Sequence, residues 1–351
     1  MIVPTLFLLA VGLLILYSIS FDGPILSTFD LKKQSVAIVI GSALFFFFAF
    51  FDYHKLNSHS TKLYFIILLL LGAVLVFGKT IRGNTGWLGF SGYNLQPVEI
   101  AKPILVIFLA SFLSKKKTQL SIAVRVIVSV VLVFVPVFLI LKQPDLGSSI
   151  IILASWATLL FISGLSRKNL AILVLIGAVI LGGSWFFMRD YQKDRIENFI
   201  NPNRDPTGSG YNVLQSIVAV GSGKMLGKGL GHGSQSQLNF LPEKRTDFIF
   251  AVIVEELGFL GGVGVFILFG LIFWRMKEAA RRARDNFGYL LVVGIIVMIF
   301  SQFLINVGMN IGIMPVTGVP LPFLSYGGSS MVSVLASLGI VQSVYLRRIR
   351  V

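Results

Sequence analysis

Three stretches set ionisable side chains at the edges of long apolar runs, where a charge is costly unless it pairs or faces a cavity. In LPEKRTDFIFAVIVEELG, Leu241 to Gly258, the chain is charged up to Arg245 and apolar from Phe248, which leaves Asp247 on the boundary. An Asp there can cap the helix expected to begin at Phe248 and complement its positive end. Equally, with Glu243, Lys244 and Arg245 it makes an ionisable cluster where an extracytoplasmic cleft would meet lipid headgroups. Glu255 and Glu256 follow about 12 Å deeper by helical rise and must pair or face a cavity. In YNLQPVEIAKP, Pro97 suits a first helical position, and Glu99, three residues after Gln96, resembles a cap. Glu99 and Lys102 then share one helix face at i, i+3, as an ion pair that either neutralises itself or marks function. In GSGKMLGKGLGHGSQSQ, six glycines from Gly221 to Gly233 surround Lys224 and Lys228. Converging backbone N–H groups and lysine charge make a phosphate cradle one reading, and a flexible loop the other. No GxxxxGK[ST] register fits, so the stretch is not a nucleotide P-loop.

The elements that must hold these residues are membrane helices. The 351 residues are 55% hydrophobic and 13% charged, with a mean hydropathy of +0.86, far more apolar than a soluble domain. Apolar runs recur near 3–21, 35–51, 63–78, 100–113, 122–141, 149–164, 170–188, 248–273, 289–308 and 328–346, at about the length that crosses a ~30 Å hydrocarbon core. The expected fold is an all-α polytopic membrane protein of about ten transmembrane helices. It forms a single domain over 1–351, with a large extracytoplasmic loop, 189–247, between spans seven and eight. The first run has neither basic residues before it nor a small-x-small site after it, so it reads as an anchor. The absence of cysteine excludes disulfides and thiolate metal sites, and His54, His59 and His232 have no metal-ligand spacing.

The net charge of +15 raises nucleic acid as a partner, but its distribution argues against that. Fifteen Lys and Arg, among them Lys115, Lys116, Lys117, Arg167, Lys168, Arg281, Arg282 and Arg350, fall in one set of loops. Five fall in the opposite short loops: Lys32, Lys33, Lys79, Arg82 and Lys142. That is the positive-inside bias, with both termini cytoplasmic. The large loop also carries YNVLQSIVAV, whose Val213, Leu214, Ile217 and Val218 recur at helical spacing and suit the outer interface. The ninth run places Gln302, Asn306 and Asn310 on one stripe, which suits interhelix hydrogen bonding. Beyond it, NIGIMPVTGVPLPFLSYGGSS has too many prolines and glycines to span, and reads as a protein-buried, partly re-entrant segment lining a cavity.

GSGYNVLQS, GHGSQSQLNFLPEKRTDFIFAVIVEELGFLG, KQPDLGSS and GIMPVTGVPLPFLSYGGSS resemble the SEDS proteins of bacterial cell-wall synthesis across nearly the whole chain. GSQSQLNFLPE is closer to the elongation branch than to the division branch. The resemblance implies ten helices in the cytoplasmic membrane and a peptidoglycan glycosyltransferase that polymerises lipid II outside it. It also implies a class B penicillin-binding protein as transpeptidase partner, within the elongasome. Its essential acidic residue falls on Asp247 and its charged pair on Glu99 and Lys102, and Ser325 of LSYGGSS joins the substrate-binding candidates. Two positions depart from the family pattern. Val98 stands where Ser is usual, and Gly86 stands before Trp87 where Arg is usual.

Joining two lipid II units needs a base for the acceptor GlcNAc 4-OH as it attacks the donor MurNAc anomeric carbon, a role for Asp247. Departure of the diphosphate-lipid needs positive charge, for which Lys102, Lys244, Arg245, Lys224 and Lys228 are candidates, with Glu243 beside them. An acidic residue near a diphosphate also suits Mg²⁺ or Mn²⁺. With no second carboxylate placed as nucleophile, direct inverting displacement is the economical course. The alternative is a lipid II flippase, which would place charge along a path through both leaflets.

Overall fold

The computed structural model describes residues 1–22, 25–26, 29–81, 83–90, 93–115, 122–164, 190–201 and 208–348. Its apolar runs form α1 (Ile2–Ser18), α2 (Phe29–Phe50), α3 (Tyr53–Phe77), α4 (Pro97–Ser114), α5 (Ile122–Lys142) and α6 (Leu146–Ile162). After the large loop come α10 (Ile249–Arg281), α11 (Asn286–Asn310) and α12 (Gly328–Leu346). Nine expected spans thus coincide with helices. Seven of these helices are long and apolar enough to cross a membrane, while α1 and α6 are shorter apolar helices of 17 residues. The seventh expected span, 170–188, lies outside the described residues, as do Arg82, Lys116, Lys117, Arg167, Lys168 and Arg350.

The all-α expectation needs one correction. Lys79 to Leu95 forms a three-stranded antiparallel sheet, β3 (Lys79–Ile81), β4 (Asn84–Phe90) and β5 (Tyr93–Leu95), and β1 (Phe21–Asp22) pairs with β2 (Ile25–Leu26). Its cause is local: Gly83, at φ 77, turns the chain between β3 and β4, where only glycine bends freely.

Helices α4, α11 and α12 fill the centre, with 78%, 67% and 67% of their apolar windows buried, against 28% for α2, α3, α5 and α10 at the rim. Small residues bring backbones together: a Cβ on Gly339 of α12 would stand 2.4 Å from the carbonyl oxygen of Phe45 in α2. The large loop is not a flexible tether. Among its described residues are α7 (Asp190–Ile200), α8 (Ser209–Ser222) and the short α9 (Ser234–Gln237). α8 carries the expected amphipathic run. Its Val213, Ser216 and Ala219 are buried, and the Ser216 hydroxyl donates to the Asn310 carbonyl (2.8 Å).

α10 is broken at Gly258 (φ 71, ψ −172), and the glycine-rich loop closes the break. The loop's Lys228 and Gly229 N–H groups donate to the carbonyls of Glu255 and Glu256, both at 3.0 Å. In return Phe259 and Leu260 of α10 donate to the carbonyls of Lys224 (2.8 Å) and Met225 (3.3 Å). Backbone groups exposed at membrane depth must find such partners. Glycines permit the approach: a Cβ on Gly227 would lie 2.1 Å from the Glu256 carbonyl oxygen.

Candidate active site

The segment 241–248 is a series of turns organised by Glu243, whose φ is 54. Its carbonyl accepts from the N–H groups of Thr246 (3.1 Å), Asp247 (3.1 Å) and Phe248 (3.3 Å), and its Oε2 accepts from the Thr246 hydroxyl (3.1 Å). α10 then begins at Ile249, one residue later than expected, and its capping position is Phe248, with no side-chain cap bond. The capping position thus falls on Phe248 and not on Asp247. What holds it is its carbonyl, which accepts from Asn306 Nδ2 and Asn310 Nδ2, both at 2.9 Å. Asn306 also donates to the Val319 carbonyl (2.8 Å), and Asn310 Oδ1 accepts from Ala251 N–H (2.9 Å). Asn306 and Asn310 are thus interhelix glue, as the spacing of the stripe suggests, and both are aimed at the Asp247 backbone, whereas both polar side-chain atoms of Gln302 are buried without a hydrogen-bond partner among the described residues. The carboxylate, half-buried, lies over Gly318: a Cβ there would be 3.7 Å from Asp247 Oδ2.

Ser325, a substrate-binding candidate, holds the backbone of this loop instead. Its Oγ donates to the Thr246 carbonyl (2.6 Å) and accepts from Leu321 N–H (2.8 Å), and the residue is buried. Next to it, Tyr326 N–H donates to the Arg245 carbonyl (2.8 Å). Gln34 of α2 grips the same turn, donating to the Ser325 carbonyl (3.1 Å) and accepting from Gly327 N–H (3.2 Å). The Arg245 guanidinium pairs with Asp30 at the start of α2. Burial, and then the neighbouring Asp30, push the Tyr326 hydroxyl up to about 12.

The other charged candidates divide by their partners. Lys102 Nζ donates to Glu99 Oε1 at 2.7 Å, and both side chains are buried, so the expected pair forms in the first two turns of α4 but packed inside the protein instead of at a wet edge. Glu99 Oε2 has no hydrogen-bond partner among the described residues. Nearby, Asp145 caps α6 through Ser148 N–H (2.9 Å). Lys244 is buried and donates to the Ser236 carbonyl and to Asn239 Oδ1, both at 2.6 Å. Lys228 Nζ bonds Glu255 Oε1 (2.9 Å), which also accepts from Gln235 N–H (2.8 Å). Glu256 accepts from the Ser18 hydroxyl (2.8 and 2.7 Å). These are the pairings that two buried carboxylates require. The expected phosphate cradle is filled from within the protein: the N–H groups of Lys228 and Gly229 donate to α10 carbonyls, and those of Gln235 and Ser236 to the Glu255 carboxylate. Lys224 is exposed, with its carbonyl in the Gly258 break.

Comparison with known proteins decides the family. The family model described as cell cycle protein FtsW/RodA/SpoVE matches residues 1–348. The chain belongs to that family. It is 42% identical over 287 residues to peptidoglycan glycosyltransferase MrdB of Escherichia coli (strain K12), covering 82% of this chain and 77% of that one. To stage V sporulation protein E of Bacillus subtilis (strain 168) it is 37% identical over 356 residues, covering 98% and 95%. Among solved structures it is similar to a chain from a peptidoglycan synthase complex that coordinates polymerization and crosslinking, with TM-score 0.83, 30% identity and coverage of 98% and 97%. The rod shape determining protein RodA of Thermus thermophilus superposes with TM-score 0.73 at 29% identity, covering 99% and 96%.

In this FtsW/RodA/SpoVE protein the fold brings together residues that the motifs leave apart. Asp247, Asn306, Asn310, Gly318 and Ser325 meet at one end of α10 and α11. Asp30 and Gln34, which support that end from α2, carry no sequence signal beyond their polarity beside an apolar run. Among the described residues no group of three or more His, Cys, Asp and Glu side chains is placed to hold a metal ion. One carboxylate joined by substrate phosphates is nevertheless a set that Mg²⁺ uses, and Asp247 fits it.

Proposed function

We propose that this chain is a peptidoglycan glycosyltransferase that polymerises lipid II at the outer face of the bacterial cytoplasmic membrane during cell elongation, with Asp247 as its general base. The observation that carries the role of Asp247 is how it is held: its loop is fixed through backbone carbonyls by Asn306, Asn310 and Ser325, and the side chain lies half-buried over Gly318. An anchored carboxylate at a membrane helix end can take the proton of the acceptor GlcNAc 4-OH as that oxygen attacks the donor anomeric carbon. The new glycosidic C–O bond forms, the bond to the diphosphate oxygen breaks, and its electron pair leaves with the diphosphate-lipid. A Mg²⁺ or Mn²⁺ ion held by Asp247 and the diphosphate would add positive charge where that pair departs.

Both termini lie in the cytoplasm and the large loop outside, on the strength of the Lys and Arg distribution. The partner is a class B penicillin-binding transpeptidase within the elongasome, in keeping with a structural neighbour from a complex that couples polymerization to crosslinking. Polymerisation of purified lipid II, with and without that partner, tests the reading. Asp247→Asn keeps the backbone bonds and loses the base, so turnover should fall about 10³-fold or more while the unfolding temperature stays put. Polymer made at the wild-type rate would remove Asp247 from the chemistry. Movement of lipid II across vesicles without any polymer would favour the flippase instead.

A further inference from the structure

The leaving diphosphate needs a cation, and the structure has already engaged most of those the motifs offer. Lys102 is buried on Glu99, Lys244 is turned into its own loop, Arg245 pairs with Asp30, and Lys228 pairs with Glu255. Lys224 stands beside the Gly258 break, about 16 Å from Asp247 by helical rise. Another cation, from α7, reaches the segment between α11 and α12 that carries Thr317 and Gly318. Arg195 is half-buried, and its Nη1 donates to the carbonyl of Thr317 at 3.4 Å, its one hydrogen bond among the described residues. A guanidinium has five N–H donors in a planar fork, so this single long bond leaves most of them available. The Thr317 hydroxyl itself is buried without a hydrogen-bond partner among the described residues. Arg195, Asn198, Phe199, Val213 and Val316 line one recess, which ties α7 and α8 to the start of this segment.

Thr317 and Gly318 are adjacent, so one dipeptide carries a guanidinium on Thr317 and the Asp247 carboxylate over Gly318. Standard backbone dimensions place the two groups within about 12 Å of each other. The reaction has much the same reach. From base to hydroxyl, hydroxyl to anomeric carbon, and across the departing oxygen to a cation on the phosphate is about 12 Å drawn out in line. We propose that Arg195 binds the diphosphate of the polyprenyl donor, opposite Asp247 across the Thr317–Gly318 dipeptide, and neutralises the charge left when the glycosyl bond breaks. The Asp247 carboxylate gains the acceptor's proton, and the diphosphate oxygen beside Arg195 gains the bonding electron pair. The Thr317 hydroxyl is the second donor to that group.

This inference rests on the glycosyltransferase reading, and the test separates the two. Full-length wild type, Arg195→Ala and Arg195→Lys are compared in lipid II polymerisation, and undecaprenyl diphosphate and undecaprenyl monophosphate are titrated by native mass spectrometry. Arg195→Ala should lose about 100-fold in kcat/KM, with Arg195→Lys between it and wild type. Undecaprenyl diphosphate should bind Arg195→Ala about tenfold or more weakly, and the monophosphate should be affected less. Turnover and diphosphate binding both within about twofold of wild type, or a lowered unfolding temperature with binding intact, would overturn the proposal and leave Arg195 a brace for Thr317. If Arg195→Ala does not fold, the same two readouts on Arg195→Lys and Arg195→Gln decide it. Should wild type make no polymer while still binding the diphosphate through Arg195, the function falls and the diphosphate site stands.

Discussion

Glu99 and Lys102 illustrate how much a single pair of side chains depends on its surroundings. At 2.7 Å and buried, the pair leaves a neutral whole if it is cut as a unit, but a naked charge if only one partner is removed. Lys102→Met alone should therefore cost about 3–5 kcal/mol of stability, and adding Glu99→Gln should recover most of it. Thermal unfolding in detergent reads the stability and lipid II turnover reads the function. If the double variant regains turnover with its stability, the pair is structural; if it refolds but stays inactive, the charges serve the substrate. At this scale the sequence supplied residue types and spacings, enough to single out Asp247, the Glu99–Lys102 pair and the asparagine stripe. It could not supply direction. Ser325 and Lys244 look like substrate contacts in the motif, yet hydrogen bonds turn both onto backbone carbonyls, and nothing in the stretch around Arg195 indicates that it reaches Thr317.

Among the elements, α10 and the loop before it behave as one unit. Loop and helix exchange four backbone hydrogen bonds across Gly258, and Lys228 and Glu255 add an ion pair. Gly227→Val puts a side chain where a Cβ would already be 2.1 Å from a carbonyl oxygen, at φ 80. Neither backbone can yield cheaply there, so the variant should lose its folded yield, seen as a missing monodisperse peak in size-exclusion chromatography. Normal yield with weaker diphosphate binding would instead restore the phosphate-cradle reading of this loop. The glycine spacing was visible in the sequence, but not its purpose. A phosphate cradle and a broken helix both ask for glycines and converging N–H groups, and only the fold shows which acceptor is in reach.

For the whole molecule, hydropathy marked nine of the described helices, because a bilayer demands long apolar runs and few other structures supply them. The strands of 79–95 escaped because a short antiparallel sheet outside the helices leaves only a weak alternation in a glycine-rich stretch. Orientation is open to direct measurement, since the chain has no cysteine to interfere. Asn201→Cys, exposed at the end of α7, should react with a membrane-impermeant maleimide in intact spheroplasts, whereas Arg281→Cys, exposed at the end of α10, should react only after permeabilisation. The opposite pattern would invert the topology and move Asp247 to the cytoplasmic side.

The closed break at Gly258 also bears on how the chain is made. Synthesis runs from the N-terminus, so residues 224–229 leave the ribosome before 255–260, and the partners for the interrupted helix exist before the interruption enters the bilayer. A chain permuted to deliver α10 first would insert four unmet backbone groups into hydrocarbon, at several kcal/mol each. The order of the segments is thus part of the solution to burying them.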